Sequence, residues 1–212
     1  MATAGYISAA DLKAYIGLSG SGQDTNISNA ILGASRQIDR YCGRRFWQDS
    51  SAQVKTFTPI SNLFLDTPDI STTTGLIVKL DTTDNGSYDK TLTINTDFIV
   101  TPTNPKTLGT GAGEHFPFTQ IRILNTRSSE RFDPDIINNV QITAKYGFAM
   151  VPEAIEQATR IQALRLFKRK DTPFNVFGNA ETGTTELFSK FDPDALNLLK
   201  DFKKMDLVGQ VL

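Results

Sequence analysis

Few side chains here are suited to covalent or acid–base chemistry. The chain has one cysteine, Cys42, and one histidine, His115. A cysteine beside a histidine can work as nucleophile and base, and Cys42 stands near arginines that would lower its pKa. The favoured reading, near a helix end, is a small, part-buried packing residue. His115, in a Gly/Pro-rich stretch, reads as a surface-loop residue. One of each excludes an intrachain disulfide framework, a multi-cysteine or histidine-rich metal site and HExxH chemistry. Asp66, Asp69, Asp81 and Asp84 are spread through turn-rich sequence, where aspartate bonds its own backbone, and EF-hand spacing is absent. No catalytic, cofactor-binding or metal-ligating set is assigned, and no cofactor is expected.

Two glycine-rich stretches, Gly17–Gly22 and Gly109–Gly113, superficially resemble phosphate loops. A P-loop needs GxxxxGK[ST] after a strand, with the lysine on the phosphates. Neither stretch has that lysine, so both read as linkers. The basic clusters are more informative. Arg36, Arg40, Arg44 and Arg45 gather at one helix end, and Arg165, Lys168, Arg169 and Lys170 at another. Cations there favour the helix dipole. They also suit phosphate contact, or ion pairs with acids on another chain.

The elements that must hold these groups follow from periodicity. Ser8 followed by Asp11 is a capping-box match opening a helix over Ala9–Ile16, closed at Gly17. Asp24, Thr25 and Asn26 are candidate caps for a second helix. There Ile27, Ala30, Ile31, Ala34, Ile38 and Tyr41 recur at helical spacing up to Gly43. From about Gln53 to Tyr146 the texture turns to short β-prone runs between turn signals. They are Val54–Phe57, Leu63–Leu65, Leu76–Leu80, Leu92–Ile94, Phe98–Val100, Ile121–Leu124 and Val140–Tyr146. Asp84-Asn85-Gly86 marks a hairpin turn. Helical spacing returns at Val151, with Pro152 suited to the first helical position. Pro173 and Gly178 break the chain, and a last helix starts at Pro193 behind Asp192.

The expected fold is α+β: a bundle of about four helices with a central inserted small antiparallel β-sandwich or barrel. Its parts are residues 1–52 (helical, first part), 53–146 (β-rich insert) and 147–212 (helical, second part, with a tail). At 212 residues, 39% apolar and 21% charged, the chain can build a core. Lys+Arg of 22 against Asp+Glu of 23 gives net charge −1, which argues against a globally basic nucleic-acid binder. No run reaches the length of a membrane helix, and the N-terminal sequence has no signal-peptide pattern.

Three stretches carry a resemblance. They are Tyr6–Gly17 (YISAADLKAYIG), Ala34–Phe46 (ASRQIDRYCGRRF), and Val151–Ile155 (VPEAI) continuing to Arg165–Pro173 (RLFKRKDTP). In this order they resemble the head–tail connector (adaptor) family of long-tailed bacteriophages and gene-transfer particles. The match covers the helical ends, roughly a third of the chain, and leaves the β-rich segment as an insertion of open role.

The resemblance implies a structural, non-enzymatic protein of the virion neck, made in the host cytoplasm. It would form a ring, commonly of twelve subunits, under the portal protein. That ring extends the channel for genomic DNA, passed without sequence recognition, and is the platform for a tail-completion or stopper protein. No membrane partner is implied. Arg44, Arg45, Arg165, Lys168, Arg169 and Lys170 are then candidates for the subunit or channel interface. The apolar Leu207, Val208, Val211 and Leu212 are candidates for docking on the portal. Two other readings stand beside this one: a DNA-packaging or DNA-binding protein using the Arg/Lys-rich helix ends, and a small hydrolase or carbohydrate-binding module using the β-rich segment.

Overall fold

A computed structural model describes residues 5–108, 114–169, 176–178, 185–187 and 191–204. The chain divides into two compact units, Met1–Arg45 with Val151–Leu212, and Phe46–Met150.

The first unit is built on α1 (Ala9–Ile16), α2 (Asp24–Cys42), α3 (Glu153–Arg169) and α4 (Pro193–Leu199). The Ser8 hydroxyl accepts from the Asp11 N–H at 3.1 Å, and the Asp11 carboxylate accepts from the Ser8 N–H at 3.0 Å. This reciprocal box starts α1, and Gly17 ends it in the left-handed region at φ 67°. The expected caps of α2 are not caps. Asp24, Thr25 and Asn26 fall inside its first turns, behind Gln23, which makes no side-chain cap. Asp24 instead forms an ion pair with Lys13 of α1, an acid at the positive end of a helix. Likewise Pro152 precedes α3, its carbonyl accepting from the Ile155 and Glu156 N–H groups at 2.9 and 3.1 Å.

Helices α2 and α3 pack antiparallel. Leu166 lies over Gly33, and one turn away the buried Gln162 donates to Gln37 at 2.7 Å. The Gln162 carbonyl also accepts the Asp192 N–H at 3.2 Å, so this one amide joins α2, α3 and the start of α4. The Asp192 side chain caps α4 by accepting from the Asp194 N–H at 2.9 Å. Leu12, Ile27, Ile31, Ala34 and Ala163 form the apolar centre. A short antiparallel pair, β8 (Val176–Gly178) with β9 (Thr185–Leu187), lies between α3 and α4 where only chain breaks were expected. A 3-10 turn at Lys200–Phe202 follows α4.

Among the described residues the second unit holds seven strands, one for each β-prone run: β1 (Gln53–Phe57), β2 (Phe64–Ile70), β3 (Ile77–Leu80), β4 (Lys90–Leu92), β5 (Phe98–Thr101), β6 (Phe118–Ile123) and β7 (Val140–Ala144). They make two antiparallel sheets, in the orders β1-β7-β3-β4 and β2-β6-β5. Alternation sets which side chains turn inward. Val140, Ile142 and Ala144 of β7 are buried, with Val78 and Leu80 of β3, Phe98 and Val100 of β5, and Ile121 and Ile123 of β6, all in one hydrophobic cluster. Of the two arrangements expected, the closed barrel is not formed. The described ladders end at edge strands β1 and β4 in one sheet and β2 and β5 in the other.

The chain enters and leaves this unit side by side. Gln53 of β1 lies opposite Ala144 of β7. Just outside that pair, the Asp49 N–H donates to the Tyr146 carbonyl at 2.9 Å, and the Tyr146 N–H to the Asp49 carboxylate at 3.2 Å.

Candidate interface at the helix ends

At the C-terminal end of α2 the basic cluster is built into a network. The Tyr6 N–H donates to the Ser35 hydroxyl at 3.1 Å, which seats the Tyr6 ring against α2. The Tyr6 hydroxyl donates to Asp39, Arg36 Nε lies 3.1 Å from the other Asp39 oxygen, and the Arg36 guanidinium stands over the Tyr6 ring at 5.8 Å. Burial raises the Asp39 carboxyl above its ordinary value, with the Tyr6 bond and the charges of Arg36 and Arg45 pulling against it. Arg45 is thus close enough to act on Asp39, and both Arg44 and Arg45 are half-buried. Gly43, at φ 66°, turns the chain out of the helix. The Lys204 N–H then donates to the Cys42 carbonyl at 2.8 Å, and Lys203 Nζ lies 5.7 Å from the Tyr41 ring centre.

The second basic cluster sits elsewhere. Arg165 is tied to Asp192, the cap of α4, at 3.5 Å. Lys168 and Arg169 are exposed in the last turn of α3, and Lys170 lies outside the described residues. Because α2 and α3 run antiparallel, Arg169 is level with about residue 30 of α2. That puts it ~20 Å along the bundle from Arg44, at 1.5 Å per residue. The structure therefore brings Arg44 and Arg45 together with Arg36 and Asp39, and holds Lys168 and Arg169 at the opposite end. Leu207, Val208, Val211 and Leu212 also lie outside the described residues.

Cys42 and His115, the candidates for nucleophile and base, differ in their surroundings. Cys42 is fully buried, and burial pushes its thiol up to about 12 despite the nearby Arg44 and Lys203. His115 is half-buried rather than on the open surface. Its Nδ1 is 2.6 Å from the Phe116 carbonyl, and the ring lies 5.1 Å from Phe118. It borders a pocket of about 270 Å3 with Gln48, Thr72, Thr74 and Lys145. Among the described residues no group of His, Cys, Asp and Glu is placed to hold a metal ion.

Of the aspartates expected in turns, Asp66 and Asp69 lie instead within strand β2, and Asp81 does turn chemistry. Burial alone would raise the Asp81 carboxyl, but N–H groups of Thr83, Gly86 and Asn85 donate to it at 3.1, 2.7 and 3.4 Å and leave it below its usual value. Asp66 accepts from the Gln120 amide at 2.8 Å. In the Gly17–Gly22 loop the Lys13 ammonium donates to the Gly20 carbonyl at 2.7 Å, a loop held as a linker. Gly109–Gly113 lies outside the described residues.

Sequence reasoning missed the roles of Tyr6, Asp39 and Gln162. The pattern offered one signal, the i,i+3 pair Arg36 and Asp39. The partners Tyr6 and Gln162 come from distant parts of the chain.

No family model matches the chain, and no curated protein matches it. Among solved structures it is similar to a chain of the neck of an empty GTA particle computed with C6 symmetry, with 10% identity, a TM-score of 0.50, and coverage of 97% of this chain and 93% of that one. At that identity the likeness is one of fold, and it spans both units.

Proposed function

We propose that this chain is a structural subunit of the neck of a tailed bacteriophage or gene-transfer particle, a head-to-tail connector. The observation that carries the reading is the near end-to-end fold likeness to a neck chain of a GTA particle. It is joined by the sequence resemblance of the helical ends to connector proteins. In this role the chain forms a ring of repeated subunits, commonly twelve in such proteins. The ring lies under the portal, extends the DNA channel and offers a platform to the next tail protein. The role is assembly and needs no catalysis. No helix among the described residues is long and apolar enough to cross a membrane.

A closed ring needs two different, mutually complementary surfaces on each subunit, and each of the two separated basic ends is a candidate for one side of such a contact, opposite acidic groups of a neighbour. Leu207, Val208, Val211 and Leu212 are the candidate portal contact. Burying a Leu or Val side chain contributes ~1.5–3 kcal/mol, and a ring repeats that contact.

Negative-stain imaging of the purified chain, alone and mixed with the portal protein of its particle, tests the reading. The expected result is rings with a central hole that stack coaxially on the portal. Removal of Leu207–Leu212 should abolish stacking and leave the melting temperature nearly unchanged. Tight duplex-DNA binding that falls steeply with salt, with no rings under any condition, would replace this reading with a DNA-binding one.

A further inference from the structure

The most exposed large apolar side chain among the described residues is Ile137, at 77%, followed by Ile60 at 69%. Ile137 is on a loop that is held firmly. The Asp133 N–H donates to the Asn139 side-chain carbonyl at 2.9 Å. The Asn139 amide donates to the Asp81 carbonyl at 2.8 Å. The Asn138 N–H donates to the Thr58 hydroxyl at 2.9 Å, and the Tyr88 hydroxyl to the Asn138 carbonyl at 3.0 Å. Asn138 itself adopts φ 57°. These bonds tie three loops of the β unit together and project Ile137 from the rim. Asp133 and Asp135 precede it on the same loop, and Asp135 is exposed. An apolar side chain held out on a fixed loop is a pre-organised anchor, since little ordering entropy opposes its burial.

The helical unit carries a groove flanked by the opposite charge. Between the first half of α2 and the end of α3 lies a groove of about 260 Å3 lined by Asn26, Asn29, Ala30, Leu166 and Phe167. Lys168 and Arg169 follow Phe167 as the last two residues of α3, both exposed. The nearby acid at the start of α2, Asp24, is ion-paired with Lys13.

We infer that Ile137 of one copy seats in the α2–α3 groove of the next copy, with Asp135 facing Arg169 across the contact. The inference rests on the ring reading above and names a contact that would build the ring. The surfaces differ, one on each unit of the chain, so the contact is heterologous and propagates from copy to copy, as a ring requires. The opposite charges fix its direction, because knob against knob and groove against groove both repel.

Sedimentation velocity of the full chain over a concentration series, alone and with portal protein, tests this. Ile137→Asp should raise the concentration for half-assembly by about tenfold or more, as loss of a central anchor does, with the melting curve unchanged. Asp135→Lys and Arg169→Asp should each weaken assembly, and the two together, each in every copy, should recover it. A wild-type chain that assembles while Ile137→Asp assembles equally well overturns this contact and leaves the ring reading standing. Failure of the paired charge exchange to recover assembly overturns the Asp135–Arg169 pairing. A wild-type chain that stays monomeric both alone and with the portal overturns the ring reading, and this contact with it.

Discussion

Asp39 holds its charge in a half-buried site, and that has a pH consequence. Its folded pKa is raised, chiefly by burial, so the folded state binds this proton more tightly than the unfolded state. The contribution of a group shifted this way is fully present below the unfolded carboxylate pKa and is lost as pH rises through the folded one. Comparing wild type with Asp39→Asn should therefore show wild type gaining relative stability as pH falls from 7 toward 4. Melting temperatures across that range measure it, and a constant difference would mean that Asp39 titrates normally. At Cys42 the thiol is buried and pushed up to about 12. Iodoacetamide at pH 8 should leave it unmodified in the folded chain and alkylate it once denaturant is added, as intact mass will show.

At the scale of elements, Gln162 is the joint on which three helices meet. Replacing it with alanine leaves the Asp192 N–H and the Gln37 carbonyl without their partner. The expected cost is ~1–3 kcal/mol, the penalty for stranding buried polar groups. Denaturant melts will measure it, with the far-UV signal reporting helix content. Arg165→Ala should cost less, about 1 kcal/mol or under, because the Arg165–Asp192 pair at 3.5 Å is partly solvated.

The elements themselves were largely legible in the sequence. Ser8, Asp11 and Gly17 bound α1 by local bonds, and the turn-punctuated β-prone runs became seven strands because alternation is local too. Strands β8 and β9 were not legible, since each is three residues long and Val176-Phe177-Gly178 and Thr185-Glu186-Leu187 hold no β-prone run between turn signals. The sheet orders were not legible either, because β1 pairs with β7 across most of the insert. For the candidate interface, residue types were readable and placement was not. Arg44 and Arg169 look alike in sequence, and the antiparallel packing of α2 on α3 sends them to opposite ends.

At the scale of the whole molecule, the β unit is a compact unit of its own, Phe46–Met150, entered and left by the chain once each. Residues 46–150, expressed alone, should fold cooperatively with the sheet content of the intact chain. Circular dichroism and amide dispersion in a proton–nitrogen spectrum will show it. Within that unit Ile142 is fully buried in the shared cluster, so Ile142→Ala should cost ~2–5 kcal/mol.

The side-by-side entry and exit at Asp49 and Tyr146 also set an order of events during folding. Helices α2 and α3 are separated by about 100 residues, and bringing together the ends of so long a free loop is entropically opposed in proportion to the logarithm of its length. Once the β unit has folded, its ends are adjacent and the effective loop shrinks to the short stretches on either side of the Asp49–Tyr146 pair, a saving of about 2 kcal/mol by the same relation. The helix pair therefore assembles fastest on a chain whose insert is already folded. A segment that reads as an interruption of the bundle acts kinetically as its clasp, and slowing the insert's folding should delay α2–α3 docking by a matching interval.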